Sequence, residues 1–447
     1  MRPSDLPPSR VLRHPLGRWV EPAQAWAALL ADEPNSFWLD SGQDSGVSYL
    51  GAGSRLLSGP DVFTALKTDL AQNRIADDAA GGFALGWVGW LGYELRQATI
   101  GTPVTRADRY PVSALMFADR ALAFDHDARE VTLLALGSGW EGETADWRDS
   151  TVAALAVRRE LPVHVPADAG VVWADDDERY LALIADCQAA IHAGEAYQLC
   201  LTTEASVDVR PDPFAAYLAL RGASPAHHGG LIRVGEVALL SSSPEQFLSV
   251  TPDGVVESRP IKGTRARGTT PESDDALRAE LLASDKELAE NLMIVDLMRN
   301  DIGRVSEVGS VTVPSLFAVE SYPQVHQLVS TVRGRLSPSL DAVDAVVACF
   351  PAGSMTGAPK RNATLLLDRF ENRARGIYAG AFGYFGLDGR VDLAMVIRSI
   401  VLDAAGATVG AGGGITALSV PREELAEVGL KAAALLAVLT TRAPRSG

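Results

Sequence analysis

Residues 258–268 read SRPIKGTRARG and set one lysine, Lys262, among three arginines, Arg259, Arg265 and Arg267. Two chemistries suit that company. The four cations can hold an anionic ligand together. Alternatively, like charges and partial burial lower the lysine pKa and free a neutral amine to act as a nucleophile. Local sequence leaves both open, beside the plainer reading of a solvated basic loop. Carboxylates form a second pattern. Glu287 and Glu290 stand three apart in KELAEN and so share a helical face. Glu424 and Glu427 repeat that spacing near the C-terminus, with Lys431 four residues beyond Glu427. Such pairs are either solvent-facing ion pairs or a hard-cation site. Two sets together suit Mg²⁺, which takes oxygen ligands and bridges anionic substrates.

Further candidates are single residues in unusual settings. Glu245, in SSSPEQF, falls in an apolar hairpin pattern; buried there, its pKa would rise and it could act as a general acid. Arg398 interrupts the apolar strand pattern AMVIRSIVL and needs a partner, which a ligand carboxylate would provide. The run AGGGI (411–415) reads either as a tight strand-to-helix connection or as a cradle of backbone amides for a carboxylate. FPAGSMTGAPK (350–360) opens a helix at a glycine-rich turn, with Ser354, Thr356 and Lys360 as polar candidates. His227 and His228 lack a third ligand nearby and read as loop residues, and His326 as a packing residue at a strand start. Cys187, Cys200 and Cys349 show no metal or redox spacing and read as reduced, buried and inert.

The elements that must position these residues are mixed. SFWLDS, GGFALGWVGWLGYEL and RALAFDHDAREVTLLAL read as strands, ADWRDSTVAALAVRREL as a helix, and DERYLALIADCQAAIHAG as an amphipathic helix ending at Gly194. VALLSSSPEQFLSVTPDGVVES predicts a hairpin turning at Asp253-Gly254. A second hairpin, GIYAGAFGYFGLDGRVDLAMVIRSIVLD, should turn at Asp388-Gly389. SDKELAENLMIVDLMRND, GAPKRNATLLLDRFEN and PREELAEVGLKAAALLAVL are helical, the last with Pro421 in its first turn. SVTVPSLFAVESY and HQLVSTVRGRL are strands. Hairpins followed by helices indicate α+β with large antiparallel sheets. All eight tryptophans precede residue 174, which separates an N-terminal region, 1–165, from a larger region, 175–442.

Composition narrows the function. A net charge of −16 over 447 residues argues against non-specific nucleic-acid binding. No uncharged run of about 18 apolar residues suggests a membrane span, and MRPSDLPPSRVLRHPLGRW lacks an apolar signal core, so a cytoplasmic location is expected. The GxGxxG and GxxxxGK[ST] nucleotide patterns are missing.

Taken in order, RPIKGTRARG, AENLMIVDLMRNDIGRV, VHQLVSTVRG, FPAGSMTGAPK, DLAMVIRSI and AGGGI followed by PREELAEVGLK resemble the chorismate-utilising enzyme family over roughly residues 175–440. The resemblance implies two large antiparallel sheets packed face to face with helices outside, an anthranilate synthase component I-like architecture. It also implies Mg²⁺ and chorismate, a substrate with two carboxylates. Two positions sort such enzymes. Members that add water carry a lysine where this chain has Gln198, so water attack is disfavoured. C2-aminating members, which make anthranilate, carry alanine in RPIxGT, whereas this chain has Lys262. The lysine pattern implies covalent attack by Lys262 at ring C2, proton donation by Glu245 to the departing C4 hydroxyl, and amination at C4 to 4-amino-4-deoxychorismate, in the p-aminobenzoate branch of folate synthesis. The resemblance assigns Glu290 and Glu427 to Mg²⁺, with Glu287 and Glu424 close by. Tyr378 and Arg398 would hold the enolpyruvyl carboxylate, and Thr264, Gln198, Lys431 and the amides of Gly412, Gly413 and Gly414 would line the pocket. One departure is Gln327, where the family usually has histidine. No glutaminase-type cysteine motif occurs, so ammonia is expected from a separate glutamine amidotransferase subunit. Anthranilate formation and a non-catalytic chorismate-binding relative are the alternatives. The early tryptophans could line a tryptophan pocket or simply pack a core.

Overall fold

Alternating apolar residues and tight turns build two antiparallel sheets, one of twelve strands and one of ten. The computed structural model describes residues 10–42, 45–76, 81–322 and 325–442; the first nine residues of the expected N-terminal region lie outside these. The sheets face one another across a core that includes Phe37, Trp90, Phe382 and Tyr384. Helices cover both outer faces. Asp177–His192, Pro213–Ala223 and Pro421–Leu439 pack on the larger sheet. Val62–Gln72, Asp285–Gly303 and Ala342–Cys349 pack on the smaller. The layer order is helix, sheet, sheet, helix, as expected.

The N-terminal and C-terminal regions share both sheets. Asn35–Asp40 pairs with His228–Val234 in the larger sheet, and Gly86–Leu91 pairs with Ala381–Gly386 in the smaller. The tryptophans serve this packing. Trp26, Trp38, Trp87 and Trp90 are fully buried, with Trp26 stacked on Trp38 and Phe214.

Both expected hairpins need correction. Val237–Ser243 belongs to the larger sheet, and the chain then crosses at Pro244-Glu245 to the smaller, where Gln246–Val250 pairs with Val255–Ser258. The second hairpin is likewise only Ala381–Gly386 with Val391–Met395; Ser399–Asp403 has crossed back to the larger sheet. Arg398 is therefore in the crossing between strands, at φ 51°, and not within a strand. The glycine run is also displaced. It lies inside the strand Gly406–Ile415, paired with Gln198–Val207, and not in a strand-to-helix turn.

Candidate active site

The two crossings, strands of both sheets and two helices line a pocket of about 750 Å³. Lys262 enters it from a bulge. The strand Ile261–Ala266 pairs Ile261 with Val329 and then Thr264 with Gln327, so one extra residue is accommodated between these pairs. Bulges re-aim side chains, and this one needs Gly263 at φ +95°. A Cβ there would meet Leu281 Cδ1 at 2.7 Å and Glu287 Oε2 at 2.9 Å.

The arginines that crowd Lys262 in sequence disperse in space. Arg259 pairs with Glu320, Arg265 with Glu280 and Glu287, and Arg267 with Asp274. The electrostatic neighbours of Lys262 are carboxylates instead. Burial acts to lower its pKa, yet Glu290, whose Oε2 is 3.9 Å from Nζ, with Glu245 and Glu427 carries it above the ordinary lysine value. The expected lowering by like charges does not occur.

Glu245 lies at the first crossing, its carbonyl accepting from Met395 N at 3.0 Å. It is buried, and that burial pushes its pKa up to about 7, against the opposing pull of Lys262 and hydrogen bonds from Ser354 and the Ile261 amide. At neutral pH this carboxyl therefore retains much of its proton.

Glu287 and Glu290, on Asp285–Gly303, and Glu424 and Glu427, on Pro421–Leu439, all line the pocket. Ser284 caps the first helix by accepting from Glu287 N, and Pro421 opens the second. Glu424 accepts from Ser419 Oγ at 2.8 Å. Glu427 pairs with Lys431 at 2.8 Å, and Lys431 Nζ also donates to Gly412 O at 2.8 Å. Burial raises the pKa of Glu290 despite Lys262 and Lys286, with Glu287 and Glu424 adding like-charge repulsion. Hard oxygen donors under mutual repulsion fit a small dication. Among the described residues, however, no three His, Cys, Asp or Glu side chains converge as a preformed metal cluster. Lys286 lies between the helices instead, 3.3 Å from Glu424 Oε1 and 4.0 Å from Glu290 Oε1. Sequence reasoning passed over Lys286, although its i,i+4 spacing to Glu290 was a signal.

Arg398, at the second crossing, lines the pocket beside Tyr378, and burial pushes its pKa down. Its guanidinium has no ion pair among the described residues. Tyr378 packs against Gly410, where any Cβ would fall 2.2 Å from the ring. The edge of Gly406–Ile415 is covered by Ser399–Asp403 only through Val409. Thr202 and Cys200, opposite Gly412 and Gly414, send their amides to Glu371 and Thr356, away from this strand. By strand alternation Gly412 and Gly414 point their own amides to the open edge at the pocket. Gly413 lies against Glu424, with a built Cβ 3.0 Å from Oε2.

Gln198 is set behind the pocket wall. A Cβ on Gly414 would be 2.2 Å from Gln198 Nε2 and 3.6 Å from Lys262 Nζ, and Gln198 Oε1 is buried without a hydrogen bond. Thr264 and Gln327 line the pocket as cross-strand partners. His326 points to the other face, where it meets Ser321 Oγ and Asp274 Oδ1 at 2.8 and 2.9 Å. Ser354 lines the pocket, but Lys360 is held by Asp301 at 2.5 Å and Thr356 bonds to the Ala352 carbonyl, so both serve the fold.

A model of the chorismate binding enzyme family matches residues 18–437. The chain belongs to that family. This chain is 43% identical over 454 residues to aminodeoxychorismate synthase of Streptomyces pristinaespiralis, covering 93% of this chain and 63% of that protein. It is 40% identical over 348 residues to aminodeoxychorismate synthase component 1 of Klebsiella aerogenes, covering 77% and 74%. It spans less than two thirds of the length of the Streptomyces relatives it matches. Among solved structures it resembles anthranilate synthase component I from Streptococcus pneumoniae, with TM-score 0.76 and 27% identity over 96% of this chain and 92% of that one.

Proposed function

We propose that this chain converts chorismate and ammonia to 4-amino-4-deoxychorismate. The single observation that carries the reading is Lys262, delivered by its bulge into one pocket with a Glu245 carboxyl whose pKa burial raises to about 7. The relatives named aminodeoxychorismate synthase support it.

Arg398 and Tyr378 bind the enolpyruvyl carboxylate, with the Gly412 and Gly414 amides, Thr264 and Lys431 along the ring. Mg²⁺ held by Glu290 and Glu427, with Glu287 and Glu424 close by, would polarise the ring carboxylate and offset the negative charge that keeps Lys262 protonated. As a free amine, Lys262 Nζ bonds to C2, the ring double bonds shift, and the C4–O bond breaks. Glu245 gives its proton to that oxygen, which departs as water. Ammonia then bonds to C4, the double bonds shift back, and the C2–Nζ bond breaks. The proton lost by ammonia restores the acid, and Lys262 is regenerated. The enolpyruvyl group is retained. Gln198, buried and neutral, supplies no base for water at C2. Ammonia is drawn from a glutamine amidotransferase partner. The three cysteines are free and buried, as suits a reducing compartment, and we place the reaction in the cytoplasm, where the product serves p-aminobenzoate and folate synthesis.

The test is incubation with chorismate, MgCl₂ and ammonium chloride, followed by chromatography and mass spectrometry. 4-Amino-4-deoxychorismate is expected. Anthranilate, identified by its fluorescence, would overturn the reading, as would unchanged chorismate. Without ammonia, intact-protein mass should show an adduct of chorismate less one water at Lys262.

A further inference from the structure

Each pocket carboxylate has a cation beside it, but the cations are not equivalent. Lys262 is held on a strand bulge, Lys431 also donates to Gly412 O, and Arg265 also binds Glu280 and the Thr264 carbonyl. Lys286 differs. Its amine contacts Glu424 at 3.3 Å and Glu290 at 4.0 Å, and no other anchor holds it among the described residues. Its side chain is 53% exposed, whereas Glu424 is 3% and Glu290 12% exposed. The ammonium thus lines the pocket on a half-exposed stem and ties the 285–303 helix to the 421–439 helix.

We propose that Lys286 is a displaceable internal cation: it neutralises Glu290 and Glu424 when no divalent ion is bound, and it sets how tightly such an ion binds. The proposal rests on the reading of the four glutamates as the metal site. A half-exposed lysine pair is weak, because water screens it and the flexible stem loses freedom in holding it. A dication at similar distances attracts each carboxylate about twice as strongly as an ammonium. The four-carbon stem can carry the amine back to water without breaking any other contact. Divalent binding is therefore an exchange of one cation for another, and its apparent affinity is reduced by the lysine it must displace.

Lys286→Met keeps the length and apolar character of the stem and removes the charge. Isothermal titration of MgCl₂ into the full chain should show the variant binding at least about threefold more tightly than the native protein, the scale of one exposed ion pair. Lys286→Arg, which keeps a cation there, should stay at or above the native dissociation constant. The rise in melting temperature on adding MgCl₂ should also be larger in Lys286→Met. Equal affinity in Lys286→Met and the native protein would overturn the proposal. So would weaker binding, because Lys286 would then be orienting the glutamates instead of competing. Absence of Mg²⁺ binding in all three proteins would remove the metal reading itself, and this proposal with it; binding by the native protein leaves that reading standing whatever the variants do.

Discussion

Glu245→Gln separates the charge at the first crossing from the shape of the side chain. Burial moves this carboxyl from 4.5 to about 7. The folded chain therefore binds that proton more tightly than the unfolded chain, and stability falls as pH rises through that window. At about 1.36 kcal/mol per pH unit, the deficit is about 1 kcal/mol at pH 5 and about 3 kcal/mol at pH 8. Glutamine has nearly the same volume and no charge to bury. The stability of Glu245→Gln relative to the native protein should thus improve by about 2 to 3 kcal/mol between pH 5 and pH 8. An unfolding entropy of about 2.1 cal/mol/K per residue gives a 447-residue chain roughly 0.9 kcal/mol/K. The melting-temperature gap should therefore shift by about 3 °C in favour of the variant.

Scanning calorimetry of both proteins at the two pH values measures that shift. Taking the difference between native and variant cancels the titrating groups that do not interact with Glu245, leaving Lys262 as the main coupled one. Turnover should move the opposite way. Glutamine cannot protonate a leaving hydroxyl, so kcat should fall by about 10²–10⁴. A gap independent of pH would show that Glu245 is not held protonated, and native turnover in the variant would remove it as the acid.

Lys262→Ala should abolish C4 amination and the covalent adduct, with any residual product appearing as fluorescent anthranilate; full 4-amino-4-deoxychorismate output would refute the nucleophile. Arg398→Leu removes a charged partner for the substrate carboxylate and should raise KM for chorismate by about 10–100-fold, from ~1.5–3 kcal/mol for such a bond; an unchanged KM would free Arg398 of that role. Glu290→Ala or Glu427→Ala should weaken Mg²⁺ at least about tenfold by calorimetry, and native affinity would reject these ligands. This chain alone should use ammonium salts, faster at higher pH where more NH₃ is present, and not glutamine. Burial raises the pKa of all three thiols, Cys349 to about 12, so none supplies a thiolate near pH 7. Glutamine-dependent product from the isolated chain would contradict that.

Residue type picked out side chains that line one pocket, while periodicity misplaced parts of their setting. Lys262, Glu245, Thr264, Tyr378, Arg398, Lys431 and the four glutamates all reach one pocket, because the ordered motifs identified them whatever their local structure. Helical spacing placed the glutamates correctly, since i,i+3 fixes a shared face. Strand alternation placed His326 and Gln327 on opposite faces, leaving Gln327 in the pocket. What alternation cannot reveal is a change of sheet. The runs 237–258 and 376–403 each read as continuous hairpins, because both sides of each crossing are apolar and the switch is set by contacts distant in sequence. Nor could the sequence say which charges meet. Seven residues separate Arg267 from Asp274, its partner, and 61 separate Arg259 from Glu320, so the local crowding of cations around Lys262 had no spatial counterpart.

The failures coincide with the residues of the proposed chemistry. Lys262 sits in a bulge, and Glu245 and Arg398 sit in the two crossings. Within a regular sheet, side chains must point to one face or the other, and both inner faces here are committed to the core between the sheets. Where pairing is interrupted, a polar side chain can turn toward a space that both sheets border. Arg398 shows the cost. A non-glycine residue at φ 51° is strained by about 1 kcal/mol or more, and the same position buries a guanidinium. Glycine would relieve both. An arginine kept there against backbone strain and desolvation fits a group that finds its carboxylate partner only when a ligand is bound.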